Sequence, residues 1–180
     1  MPSGLPPKPS TIGSSTRYAA LIGIAGGGVV VALMAGVFAA SPELFLSPLF
    51  QWSLAVVYLV AMLLASLRRP PLPRAQAVRN AFVAYLFVSA SYYLYYYLLF
   101  EVFEPTLVER QSELLVENAR RYLEASPGDL ASDPAVIYAP ERLRQTVGGT
   151  VFNFAQGAIF GAAFSFLLGV LVGARDNRAA

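Results

Sequence analysis

Cysteine and histidine are absent from this 180-residue sequence, and lysine occurs only once, at Lys8. Without cysteine, neither a disulfide nor a thiolate nucleophile can form. Without histidine, the chain lacks the usual acid–base group near neutral pH and the commonest metal ligand. The single lysine lies in a polar segment, which excludes a buried Schiff-base lysine. We therefore predict a protein that is not an enzyme, with no catalytic, cofactor-binding or metal-binding residues.

Charge is also missing from four long apolar stretches, at residues 18–40, 49–67, 81–100 and 147–173. A helix needs about 20 mostly apolar residues to cross the hydrocarbon core of a bilayer. We therefore predict an all-α membrane protein, an up-and-down bundle of four transmembrane helices, with the third span reaching residue 103. A cleaved signal peptide at residues 18–40 is disfavoured, because its apolar core is typically about 7–15 residues.

The charged residues are segregated between alternate connections. The N-terminal segment, the second connection and the C-terminus hold eight basic residues and one acid, whereas the first and third connections hold five basic and ten acidic residues. Basic segments stay on the cytoplasmic side. We therefore predict a multi-pass protein of a bacterial inner (plasma) membrane, with both termini cytoplasmic. Residues 1–17, rich in proline, are predicted as a disordered tail, and residues 18–176 as the membrane domain.

The third connection is the only long polar segment and contains a predicted amphipathic helix at residues 105–125. Apolar side chains recur there at helical spacing, at Leu107, Leu114, Leu115, Ala119, Tyr122 and Leu123. The charge pattern puts this helix on the periplasmic side. The sequence leaves open whether it continues the third span or lies along the membrane surface.

Span four carries a stripe of small or polar residues, each four positions apart: Gly149, Asn153, Gly157, Gly161, Ser165, Gly169 and Gly173. Span one offers a similar face that includes Gly23 and Gly27. Small residues at this spacing let helix backbones approach closely within a membrane. We therefore predict that spans one and four pack against each other. The alternative is that the stripe drives homodimerisation through span four.

Tyrosines crowd the end of span three, and two glutamates follow them. Tyr92, Tyr93 and Tyr96 belong to this run, and Glu101 and Glu104 lie three residues apart beyond it. The tyrosines can serve as an aromatic anchor at the interface, or they can line a small cavity for a lipid or quinone-like molecule. The glutamates can hold a divalent cation or pass a proton; the alternative is a solvated helix end that caps the next helix.

Two segments resemble a known family. Residues 95–100 run through aromatics into Phe103, Glu104 and Pro105, and a glycine-rich fourth span ends in a short basic tail. In these features, the chain resembles a family of four-span bacterial inner-membrane proteins known only as a domain of unknown function. The resemblance implies a fold and a location without a mechanism.

These observations favour an accessory or structural protein within a membrane assembly. Its expected partners are the lipid bilayer and either another membrane protein or further copies of this chain. The alternative is a small transporter or channel formed by oligomerised spans. Nucleic-acid binding is not expected, because the cytoplasmic basic residues are few.

The predicted sidedness can be tested by cysteine labelling, since the chain has no cysteine of its own. We expect Ser47→Cys to react with an impermeant maleimide in intact cells, because it lies on a periplasmic connection. Ala75→Cys should react only after permeabilisation. Labelling of position 75 from outside would contradict this orientation.

Overall fold

The computed structural model describes residues 12–67, 72–125 and 133–176. About 90% of these residues are helical, and none of them forms a strand. Four helical segments are long and apolar enough to cross a membrane: span one (Ser15–Ala40), span two (Pro48–Ser66), span three (Arg74–Phe103) and span four (Val147–Val172). The predicted all-α class and the four candidate spans are therefore confirmed, as expected for a multi-pass membrane protein.

The spans are connected by short helices and one longer polar helix. In chain order the α-helices are α1 (Ile12–Ala40), α2 (Pro42–Leu46), α3 (Pro48–Ser53), α4 (Ala55–Ser66), α5 (Arg74–Leu98), α6 (Leu107–Ala125), α7 (Pro134–Ile137), α8 (Pro140–Leu143) and α9 (Val147–Asp176). Span two comprises α3 and α4. Span three comprises α5 and a π-helical segment, Leu99–Phe103.

Two helices begin earlier than the apolar stretches predict. Helix α1 starts at Ile12, so residues 12–17 are helical instead of belonging to the tail, and residues 1–11 lie outside the described residues. Helix α5 starts at Arg74, directly after Pro73. Hydropathy marks only the part of a helix that suits lipid, whereas hydrogen bonds and packing extend the helix beyond it.

A buried asparagine accounts for the packing of these extensions. Asn80 is fully buried, and its Nδ2 donates to Ser15 Oγ at 2.7 Å and to the Ala65 carbonyl at 3.4 Å. These bonds join spans one, two and three at the end nearest the second connection. Hydrogen bonds between membrane helices are worth about 0.6 kcal/mol on average, so the contribution is modest but specific to this arrangement.

Span three is the central helix of the molecule, and spans one, two and four all pack against it. The glycines of span one approach span three closely there. A Cβ added at Gly23 would come within 2.7 Å of the Phe87 Cβ, and one added at Gly27 would overlap Ser91. Glycine is therefore required on span one for this close approach to span three.

The stripe on span four faces the same central helix. Gly157 lies against the hydroxyls of Tyr85 and Tyr93, while a Cβ at Gly161 would overlap the Tyr85 ring and one at Gly169 would overlap Val78. Ser165 is fully buried, and its Oγ donates to the Gly161 carbonyl at 2.7 Å. The burial of Gly173 lies outside the described part of the structure.

The predicted packing of span one against span four is therefore wrong. Span three lies between them, and the principal helix contacts among the described residues do not include a span one–span four pair. The physical reason is complementarity. The glycines of spans one and four leave room for side chains of span three, such as the Tyr85 ring at Gly161 and Ser91 at Gly27, and this fit gains van der Waals contact.

The end of the molecule opposite Asn80 is closed by aromatic packing. Phe45, in the short turn between spans one and two, is fully buried, with its ring centroid 5.7 Å from Phe38 and 6.2 Å from Phe100. Leu107 and Val108, in the first turn of α6, belong to the same buried cluster. The polar helix is therefore anchored to the spans at its beginning.

The glycine contacts predict different effects at two positions. Gly161→Leu should force Tyr85 aside and destabilise the protein by about 1–3 kcal/mol, as overpacked cores do. Gly36→Leu is the matched control, because a Cβ there meets nothing within 4 Å. Thermal unfolding in detergent should separate the two variants. Equal melting temperatures would contradict the packing of span four on Tyr85.

Candidate functional site

A cleft runs along the structure between spans two and four, with span three behind it. It consists of two hollows of about 570 Å³ and 350 Å³ that share Tyr92, Tyr93 and Phe160. The larger hollow is also lined by Gln51, Trp52, Leu54, Ala55, Tyr58, Leu59, Met62, Tyr85, Ser89 and Phe164, and the smaller by Tyr96, Gln145, Thr150, Asn153, Gln156 and Gly157. The two hollows adjoin at the residues they share and together are called the lateral cleft.

The cleft has a buried floor and an exposed rim. Met62 and Leu54 on the floor are almost fully buried. On the rim, Trp52 is 78% exposed, Phe160 68% and Phe164 53%. Because both edges belong to candidate membrane-spanning helices, we expect the cleft to open sideways toward the hydrocarbon. None of the residues that line it is charged.

Hydrogen bonds fix several polar side chains of the cleft. The Tyr92 hydroxyl donates to Gln51 Oε1 at 3.0 Å, and Gln51 Nε2 donates to the Phe45 carbonyl at 2.9 Å. The Tyr85 hydroxyl donates to the Gly157 carbonyl at 2.7 Å. These bonds join span three to both neighbouring walls, so the cleft is held open by its own polar groups.

The three tyrosines predicted at the outer interface do lie together. The Tyr92 ring meets Tyr93 edge-on, with centroids 5.1 Å apart, and stacks with Tyr96 at 5.8 Å. All three line the smaller hollow. Tyr96 also stacks on Phe100 at 4.2 Å, which connects the cleft with the aromatic cluster behind it.

The two predicted glutamates have different partners. Glu101 Oε1 accepts a hydrogen bond from the Gln145 backbone N–H at 2.8 Å, and Gln145 lines the cleft. Glu104 Oε1 accepts from the Thr106 hydroxyl at 2.7 Å, a local contact outside the cleft. Glu101 thus positions the segment that leads into span four. Neither glutamate is among the lining residues.

A hydrogen bond also shows how α6 leaves span three. Gln111 Nε2 donates to the Tyr96 hydroxyl at 3.2 Å. In one continuous helix, residues 15 positions apart would be about 22 Å apart along the axis. The chain therefore folds back at residues 104–106, and α6 is not a straight extension of span three.

Gln51, Tyr58 and Tyr85 also belong to this site, although the sequence pattern does not predict them there. Tyr58 and Tyr85 face each other, with ring centroids 5.5 Å apart, on the walls of the larger hollow. The sequence does contain a signal for both tyrosines. Tyrosine prefers the membrane interface, so a tyrosine well inside a span indicates a role other than anchoring. Gln51 is a similar signal, because it is a polar side chain within span two.

Comparison of the chain with known protein families, with curated proteins and with solved structures gave no match. The resemblance to the four-span inner-membrane family therefore remains a prediction. The function must be inferred from the geometry of this chain alone.

The sideways opening predicts the environment of Trp52, the single tryptophan of the chain. In reconstituted bilayers its fluorescence should be quenched strongly by phospholipids brominated on the acyl chains and weakly by aqueous iodide. The double variant Trp52→Phe, Tyr122→Trp is the control and should show the reverse. Strong iodide quenching of the wild type would contradict a lipid-facing cleft.

Proposed function

We propose that this protein is a non-enzymatic accessory protein of a bacterial inner membrane, folded as a four-helix up-and-down bundle with both termini cytoplasmic. The segregation of charge supports the orientation. Contacts support the bundle. Ser15 contacts Asn80 and Gly27 contacts Ser91, so spans one and three run in the same direction. Val78 meets Gly169 and Tyr93 meets Gly157, so spans three and four run in opposite directions.

In this proposal, α6 is the amphipathic periplasmic helix that meets a partner within a membrane assembly. The observation that carries the proposal is its combination of a fixed beginning and an exposed end. Leu107 and Val108 are 1% and 2% exposed, and the Ser112 hydroxyl donates to the Tyr138 carbonyl at 2.5 Å. Farther along, Tyr122 is 72% exposed.

An exposed aromatic side chain on an anchored helix suits a protein-binding surface on physical grounds. Tyrosine and arginine are enriched among residues that dominate protein–protein affinity. Tyr122 follows Arg120 and Arg121, and the Arg121–Glu117 ion pair joins two exposed side chains. An exposed pair of this kind adds little stability. This surface therefore contributes little to the fold of the chain and is available for a partner.

The alternative, a small transporter or channel, has less support. Transport paths usually contain intramembrane charges or unwound helices. No charged side chain lines the described cleft. The interruption of span two at Leu54 keeps helical dihedral angles (φ −61°, ψ −24°) and is therefore not an unwound segment.

The accessory role predicts that Tyr122→Ala releases the protein from its assembly without affecting insertion. After extraction in a mild detergent, the wild type should migrate as a complex well above its own mass of 19.4 kDa. The variant should migrate alone. Arg110→Ala, an exposed change in the anchored first turns of the same helix, is the control and should leave the complex intact.

Two results would overturn this function. The first is a wild type that is solitary under mild extraction and after cross-linking in native membranes. The second is a Tyr122→Ala complex of unchanged size. Cysteine labelling of both variants verifies their insertion, so that a lost complex is not mistaken for a folding defect.

A further inference from the structure

The lateral cleft contains an amide that the protein itself does not satisfy. Gln156 lies nine residues after Val147, the first residue of span four, which is about 14 Å along the helix at 1.5 Å per residue. Its side chain is exposed, and it makes no hydrogen bond to any residue in the described part of the chain, whereas the nearby Asn153 Nδ2 donates to Gln145 Oε1 at 3.5 Å. The hydrocarbon core is about 30 Å thick, so this amide lies well inside it.

Other polar groups surround the same part of the cleft. The Tyr93 hydroxyl lies beside Gly157, and it too has no hydrogen-bond partner among the described residues. The Thr150 hydroxyl is buried and also lacks one. Leaving polar groups unpaired in an apolar medium costs roughly 1–3 kcal/mol each in proteins. Several of them around one hollow indicate that a molecule with hydrogen-bonding groups belongs there.

The chemistry of the lining restricts that molecule to an uncharged one. The lining has no cation to pair with a phosphate and no acid to pair with an amine. A charged head group also stays at the membrane surface, because burial in hydrocarbon is costly. The ligand head must therefore be neutral and able to accept hydrogen bonds from amide and phenol donors.

The rest of the cleft fits an apolar chain attached to such a head. From Gln51 to Met62 the span-two wall extends over about 16 Å, and Leu59, Met62 and Phe164 line its apolar part. The hollows, at 350 and 570 Å³, have the size of small-molecule sites, about 300–1,000 Å³.

We propose that the lateral cleft binds a prenylated quinone taken from the bilayer. The flat, neutral head lies among Tyr93, Asn153 and Gln156, and its carbonyl oxygens accept hydrogen bonds from their side chains. The isoprenoid tail occupies the apolar part of the cleft between spans two and four. This binding site is separate from α6, so it stands or falls independently of the accessory function.

The test uses Trp52 on the rim of the cleft, whose fluorescence a bound quinone ring quenches. The full chain in phosphatidylcholine nanodiscs is titrated with decylubiquinone. We expect saturable quenching and a rise in melting temperature, because a ligand that binds only the folded state stabilises it. Gln156→Leu should weaken binding by about tenfold, which corresponds to one lost hydrogen bond in an apolar site.

Gln76→Leu is the matched control, since it makes the same change in span three outside the residues that line the cleft. It should bind decylubiquinone as the wild type does. Gln156→Leu places an apolar side chain on an exposed position of span four, so we expect its unliganded melting temperature to be no lower than that of the wild type. A variant that fails to fold is replaced by Asn153→Leu, with the same expected loss of affinity.

Several outcomes would overturn the proposal. Quenching that rises linearly without saturation indicates partition into lipid only. Equal affinity in Gln156→Leu and Gln76→Leu places the quinone elsewhere. Loss of quinone binding when phosphatidylcholine is replaced by phosphatidylethanolamine, with a matching gain in melting temperature, makes a phospholipid the occupant instead.

Discussion

Close approach of small residues to large ones on span three is the constraint on which the remaining structure depends. Within a bilayer, lipid tails are as apolar as leucine, so burial of apolar surface against another helix gains little free energy. Van der Waals contact must hold the helices together, and it requires surfaces that interlock. Span three presents Tyr85, Phe87 and Ser91, and its neighbours present glycines to them. These contacts are made on span three, the helix that every other span contacts.

The cleft is a consequence of this central helix. Spans two and four each follow span three on a different side, so their own contact with each other is slight. Tyrosines fill the space between them only in part. Their rings contribute apolar surface, while their hydroxyls bond to Gln51 and to the Gly157 carbonyl. The result is a groove whose walls are joined to span three by hydrogen bonds.

The sequence predicts the four spans because length and hydropathy are properties of each segment by itself. It does not predict which spans touch, because a glycine stripe suits any helix with a complementary surface. The stripes on spans one and four were paired with each other for that reason, whereas both contact span three. The tyrosines of the site were predicted from their number, but Tyr58, Tyr85 and Gln51 were not, because their roles depend on a wall contributed by another span. The position of Glu101 depends likewise on the π-helical segment Leu99–Phe103, which contains it.

Two amides inside the spans show how a structural polar group differs from a functional one. Asn80 is fully buried, and its amide nitrogen bonds to Ser15 and to the Ala65 carbonyl, so removing it would loosen three helices at once. Gln156 joins no two helices in the described structure, because it lies exposed on the rim of the groove. A leucine there would suit both the helix and the lipid better, since glutamine in hydrocarbon is costly. A residue that the fold does not need and the bilayer disfavours is best explained by a molecule that binds to it.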